Sequence, residues 1–150
     1  QFRQLGSTPQ KMAFKEVYQA LQTGVVDGQE NTWSNIFSKK FFEVQDGTTE
    51  TDHGIIDYAV IVSKRFWEGL PGEIRGELEA IMRSVTEDRN GLARSLNLEN
   101  RKKVLDNGGK IVTLTPEQRA AWKAAMKPVW NQFADEIGPD LIKAAEGFNK

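Results

Sequence analysis

The run Ile55-Ile56-Asp57-Tyr58-Ala59-Val60-Ile61-Val62 constrains the fold more than any other stretch of the chain. A strand with one wet face alternates apolar and polar side chains, whereas this one is nearly continuously apolar, so it predicts a central strand covered on both faces. Such a strand needs neighbours on each side, and that requirement points to an α/β architecture. Earlier in the chain, Phe14 to Gly24 reads as a short amphipathic helix closed by glycine, followed by a Val25-Val26 strand that ends in Asp27-Gly28-Gln29-Glu30-Asn31. Polar side chains just beyond a strand are where open α/β sheets hold ligands. The alternative is an ordinary connection whose Asp27, Gln29, Glu30 and Asn31 face water.

The remaining segments read as alternating helix and strand. Gln1 to Gly6 looks like the end of a helix, Ser7-Thr8-Pro9 a turn and Gln10 to Ala13 a short strand. Trp33, Ile36, Phe37, Phe41 and Val44 fall on one face of a helix with Asn31 or Thr32 as its cap, and Gly47-Thr48-Thr49 reads as a turn. Ser63 starts a short helix that stops at Gly69-Leu70-Pro71. Ile74, Leu78, Ile81, Val85, Leu92 and Leu96 then keep a helical spacing from about Pro71 toward Asn107, a length suited to bracing, and Asn107-Gly108-Gly109 ends it. Lys110 to Leu114 is a strand, and Thr115-Pro116-Glu117-Gln118 has the pattern of a capping box. The next helix is expected to bury Trp122, Met126, Val129, Trp130 and Phe133 and to kink at Pro128, before a last helix from Pro139 to Ala145. The predicted class is α/β, helix-rich, with at least four short strands.

Composition removes several functions. A net charge of −1 with both signs interspersed leaves no basic stripe for nucleic acid. The absence of cysteine removes thiolate catalysis, cysteine zinc sites and disulfides together. No apolar run is long enough to cross a bilayer, so the chain is not membrane-embedded. A start at Gln1, inside what reads as a helix end, suggests the downstream part of a longer protein.

With His53 as the single histidine, neither a transition-metal site nor a cofactor is expected. Asp52-His53-Gly54 admits a catalytic dyad, although a lone histidine at a strand entrance is more often a structural or rim residue; a small α/β enzyme using Asp52, His53 and Asp27 is the rival reading. The glycines lack the spacing of a phosphate loop. Among the aromatics, Trp33 beside the polar mouth and Phe14 at the entry to its helix are the candidates to meet a ligand, whereas Trp122 and Trp130 read as core. The charges from Glu77 to Arg89 read as a solvated helix face.

The segment from Pro9 to Asn31, together with Lys40-Phe41-Phe42-Glu43-Val44-Gln45, Asp52-His53-Gly54 and Phe66-Trp67-Glu68-Gly69-Leu70-Pro71, resembles the dicarboxylate-binding (DctP-type) family of TRAP-transporter periplasmic solute-binding proteins. The likeness spans nearly the whole chain and matches the C-terminal half of a full-length member. It implies part of a two-lobed periplasmic binding fold with a long bracing helix, in which residues of about 7–62 supply ligand-lobe elements and a crossing strand and about 63–150 supply the brace and the C-terminal helices. It also implies a non-catalytic protein that captures a small organic acid and delivers it to TRAP membrane subunits. On this resemblance Asn31 is the ligand-contacting asparagine, Phe14 an aromatic that packs on the ligand and His53 a polar cleft position. The family's carboxylate-clamping arginine lies upstream, and Arg3 does not match it. Thr32 stands where a proline is often found, a variant closer to dicarboxylate-type than to sialic-acid-type members.

Overall fold

A computed structural model describes residues 1–148. In chain order its regular elements are α1 (Val17–Gln22), α2 (Trp33–Ser38), β1 (Thr48–Glu50), α3 (Lys64–Gly69), α4 (Gly72–Asp106), β2 (Ile111–Thr113), α5 (Pro116–Gln132), α6 (Ala134–Ile137) and α7 (Pro139–Phe148), with 3-10 turns at Phe2–Leu5, Phe14–Glu16 and Phe41–Glu43. Two compact units result: Gln1–Val17 with Thr49–His53 and Ile111–Lys150, and Tyr18–Thr48 with Gly54–Lys110.

The second of these units is organised by α4, whose 35 residues run from a cap at Pro71 to one at Asn107 as the spacing predicts. Helix α2 packs against it. Ala20, Leu21, Ile36, Phe41 and Val104 are the buried side chains here, with Phe41 and Val104 almost wholly removed from water. The end of α4 is closed by a tight reversal in which Gly109 N–H donates to Val104 C=O at 2.9 Å and Gly108 N–H to Leu105 C=O at 3.0 Å. Gly108 sits at φ +88°, and a Cβ on Gly109 would stand 2.5 Å from Val104 Cγ1 and 3.3 Å from Phe42 Cβ. Glycine is therefore required at both positions, at the first by backbone conformation and at the second by space.

Several expected strands are absent among the described residues. The Val25-Val26 segment is a helix end: Val25 and Val26 N–H both reach Ala20 C=O, at 2.9 and 3.3 Å, and Gly24 takes φ +71°. Its backbone donors are consumed by this reversal, so none is left for a ladder. Gln10 to Ala13 likewise has no regular structure, and the helix predicted from Phe14 begins as a 3-10 turn before α1. The helix predicted from Trp33 to Val44 breaks after Ser38, because Lys40 adopts φ +56° and redirects Phe41 into the core. Burial of one large ring there outweighs helical continuity. Thr48 and Thr49, expected in a turn, instead begin β1.

The long apolar run is not paired. Residues 51–63 have no regular secondary structure, and Ile55 and Ile61 are 87% and 88% exposed. A strand exists through its hydrogen bonds to a neighbour, and no neighbouring strand lies beside this segment among the described residues. The sheet is the pair β1–β2. It runs parallel, with Thr48 N–H donating to Lys110 C=O at 2.9 Å and Thr113 Oγ1 to Glu50 Oε2 at 2.8 Å. Of the expected four or more strands, these two form among the described residues.

In the unit that contains it, α5 starts with the expected capping box, in which Gln118 N–H donates to Thr115 Oγ1 at 3.2 Å and Thr115 N–H to Gln118 Oε1 at 2.9 Å. The helix runs through Pro128, and of its expected core positions Met126 is buried while Phe133 is 41% exposed.

Two outcomes are expected. Gly109→Ala should lower stability by roughly 1–3 kcal/mol through overpacking against Val104, read as a lower urea midpoint with unchanged slope. At the start of α5, its own backbone N–H and then the Thr115 hydroxyl hold the Glu117 carboxyl below the ordinary carboxylate range. The contribution of a carboxyl lowered in this way is complete above the unfolded value of about 4.3 and is lost as pH falls through the folded value. Protection of the amides in the first turn of α5, taken relative to the intrinsic exchange rate at each pH, should fall on acidification, and Thr115→Ala should flatten that dependence.

Candidate functional site

The N-terminus of α2 builds the polar group expected around Asn31. Thr32, extended at φ −75° and ψ 158°, caps the helix by accepting Asn35 N–H on its hydroxyl at 3.4 Å, and that hydroxyl also meets Ser34 Oγ at 2.9 Å. Asn31 precedes the cap, and its side-chain oxygen accepts Asn35 Nδ2 at 2.5 Å and Thr32 N–H at 3.3 Å. Trp33 follows immediately, with the Arg101 guanidinium 5.8 Å from its ring centroid, a cation–π arrangement supplied by α4. One turn on, Lys103 stands 5.6 Å from the Phe37 ring, which stacks on Phe42 with centroids 6.2 Å apart. Gln29 Nε2 donates to Gln45 Oε1 at 3.2 Å, tying the segment before Asn31 to the one after the Phe41–Glu43 turn.

His53 belongs to the unit that holds α5. Its ring meets Phe2 edge-on at 5.2 Å and Trp122 at 6.2 Å, and Phe2 and Trp122 meet each other at 6.5 Å. Thr51 Oγ1 lies 2.5 Å from His53 Nδ1. Asp52, between them, takes φ +46° and forms an ion pair with Arg119 at 2.7 Å. A left-handed aspartate in a three-residue polar step is a costly conformation, and the Arg119 pair fixes it from α5. Phe14, in the same unit, opens the second 3-10 turn and is 42% exposed.

The four residues singled out from sequence thus fall in two groups. Asn31 and Trp33 flank Thr32 in one unit; Phe14 and His53 belong to the other. Of the residues of the enzymatic alternative, Asp52 turns its carboxylate to Arg119, His53 meets Thr51, and Asp27 belongs to the other unit. No three His, Asp or Glu side chains are arranged to hold a metal among the described residues. Nor is any helix among them long and apolar enough to cross a membrane.

Sequence reading missed Asn35, Arg101, Thr51 and Arg119. Asn35 was within reach, because Asn31 and Asn35 stand four apart across a helix start, the spacing at which side chains meet. Arg101 and Arg119 come from distant helices, and no local pattern marks them.

Known proteins match this chain over nearly its whole length. The family model described as bacterial extracellular solute-binding protein, family 7, matches residues 1–136. The C4-dicarboxylate-binding periplasmic protein DctP of Vibrio cholerae is 52% identical over 150 residues, covering 100% of this chain and 45% of that protein. Its counterpart in Shewanella loihica is 48% identical over 151 residues, covering 100% and 45%. A TRAP periplasmic solute-binding protein from Shewanella oneidensis with bound succinate superposes with a TM-score of 0.93 at 42% identity, over 99% of this chain and 49% of that one. One from Pseudomonas aeruginosa with bound L-malate gives 0.85 at 42% identity, over 87% and 46%. The chain therefore spans slightly under half the length of the proteins it is similar to. The α/β, helix-rich fold with its single long helix is the one these proteins share, and the chain belongs to the bacterial extracellular solute-binding protein family 7.

Proposed function

We propose that the complete protein carrying this chain is the periplasmic solute-binding component of a TRAP transporter, which captures a C4-dicarboxylate or a closely related organic acid and delivers it to the membrane permease without chemical change. The observation that carries this reading is the 52% identity, along the whole chain, to a C4-dicarboxylate-binding protein. The relatives solved with succinate and L-malate support the same ligand class. In this reading residues 7–62 supply ligand-lobe elements and a crossing strand, and residues 63–150 supply the brace and the C-terminal helices. Asn31 and Phe14 touch the ligand, Trp33 borders it, and His53 acts at the rim through its neighbours. An amide donor from Asn31 suits a carboxylate oxygen, which only accepts hydrogen bonds.

A ligand that binds the native state alone stabilises it by about 2.7 kcal/mol at a concentration a hundredfold above Kd. Succinate, malate and fumarate should therefore raise the melting temperature of the complete protein. A response to neutral sugars with none to any dicarboxylate would sink the ligand class, and turnover of a substrate would favour the enzymatic alternative.

Asn31→Ala should weaken dicarboxylate binding by roughly 1–3 kcal/mol, the scale for leaving a polar partner unpaired. Phe14→Ala should weaken it through lost packing. Calorimetric titrations with unchanged affinity for both variants would refute the site.

A further inference from the structure

We propose that Asn35 is a positioning residue that locks the Asn31 side-chain amide with its NH2 group outward, making this position selective for a hydrogen-bond acceptor. The proposal rests on the reading of Asn31 as a ligand contact and adds to it the device that sets its polarity. An asparagine amide has a donor end and an acceptor end of nearly equal shape, and a half-turn about its last torsion exchanges them. Left free, Asn31 would accept from a hydroxyl or an ammonium as readily as it donates to a carboxylate.

Two contacts remove that freedom. The Thr32 backbone N–H lies 3.3 Å from one terminal atom of the Asn31 amide, and because a backbone N–H can only donate, that atom is the oxygen. Asn35 Nδ2 donates to the same oxygen at 2.5 Å. With two donors on Oδ1, both its lone pairs are engaged, and the two N–H bonds of Nδ2 are what the side chain has left to offer. Asn35 stands in the first turn of α2, where its backbone N–H donates to Thr32 Oγ1 at 3.4 Å and so sets the side chain beside Asn31. Flipping Asn31 alone would set its NH2 against both the Thr32 N–H and the Asn35 NH2; if Asn35 turned with it, the Thr32 N–H would still face an NH2 group, so the backbone donor sets the polarity and Asn35 reinforces it. The pair thus discriminates against ligands that can only donate at this point, such as an ammonium group.

The test is a double-mutant cycle on the complete protein, with succinate as the probe in titration calorimetry. Asn35→Ala should cost about fivefold in affinity when Asn31 is present and less than about twofold in an Asn31→Ala background, because the loss passes through Asn31. Asn35→Asp, which replaces the donor by an acceptor of the same shape, should turn the Asn31 NH2 inward and cost more than Asn35→Ala, again chiefly when Asn31 is present. In the 1H–15N spectrum, succinate should shift the Asn31 side-chain amide pair of the wild type, and in Asn35→Asp that pair should no longer respond. Equal losses in both backgrounds, or full succinate affinity in Asn35→Ala while Asn31→Ala is impaired, would overturn the positioning role and leave Asn31 as a ligand contact. Full affinity in Asn31→Ala would overturn the ligand-contact reading and this proposal with it.

Discussion

The seating of α2 on α4 is the interaction on which the rest of its unit depends. A six-residue helix has no stability of its own in water, since nucleation is unfavourable and too few bonds follow it. Its existence is secured by what surrounds it: Ile36 buried beneath it, the Lys40 reversal that brings Phe41 inward, and the α4 face that presents Arg101, Lys103 and Val104. The buried part is small and the long helix is largely exposed, so a few side chains carry the packing. The glycine pair at 108–109 belongs to this arrangement, since the chain must turn off α4 directly over Val104. Position and polarity of the Asn31–Trp33 group follow from it, because Asn35 and Arg101, which hold that group, come from the two packed helices.

The elements legible in the sequence are those whose causes are local. The length of α4 follows from a sustained apolar spacing between Pro71 and Asn107, and the starts of α3 and α5 follow from Ser63 and from the Thr115–Gln118 box, side chains that bond backbone groups three residues away. Strands are different, because pairing decides them. Val25-Val26 and Ile55–Val62 carry the composition of strands, yet the first spends its donors on a helix end and the second has no strand beside it among the described residues. In the other direction, Thr48–Glu50 looks like a turn by its Gly-Thr-Thr start and becomes a strand because Lys110 to Thr113 lies next to it. The break after Ser38 had no local cause either; a core position for Phe41 decided it.

The candidate site divides along the same line. Asn31 and Trp33 stand out in the sequence because a polar step and an aromatic meet at a helix cap, and the structure builds that cap on Thr32. What the sequence withheld is which end of each side chain is in use. Asn31 is committed by its oxygen to Asn35 and Thr32, one environment of Trp33 is defined by Arg101, and His53 is wedged with Phe2 and Trp122. Residue types give the chemistry available at a position; neighbours contributed from elsewhere choose the part of it that is expressed.

An apolar, β-branched stretch that is exposed and unpaired is a template for strand addition from any chain that meets it. Between Ile55 and Val62 the sole charge is Asp57, and the next are Lys64 and Arg65, just past its end. These three act as gatekeepers, placing like charges side by side whenever two copies align in register. Repulsion of this kind opposes self-templating of the segment. The same three charges that keep copies of the stretch apart leave the helical unit around α4 unburdened, since α4 takes its form from contacts within its own length.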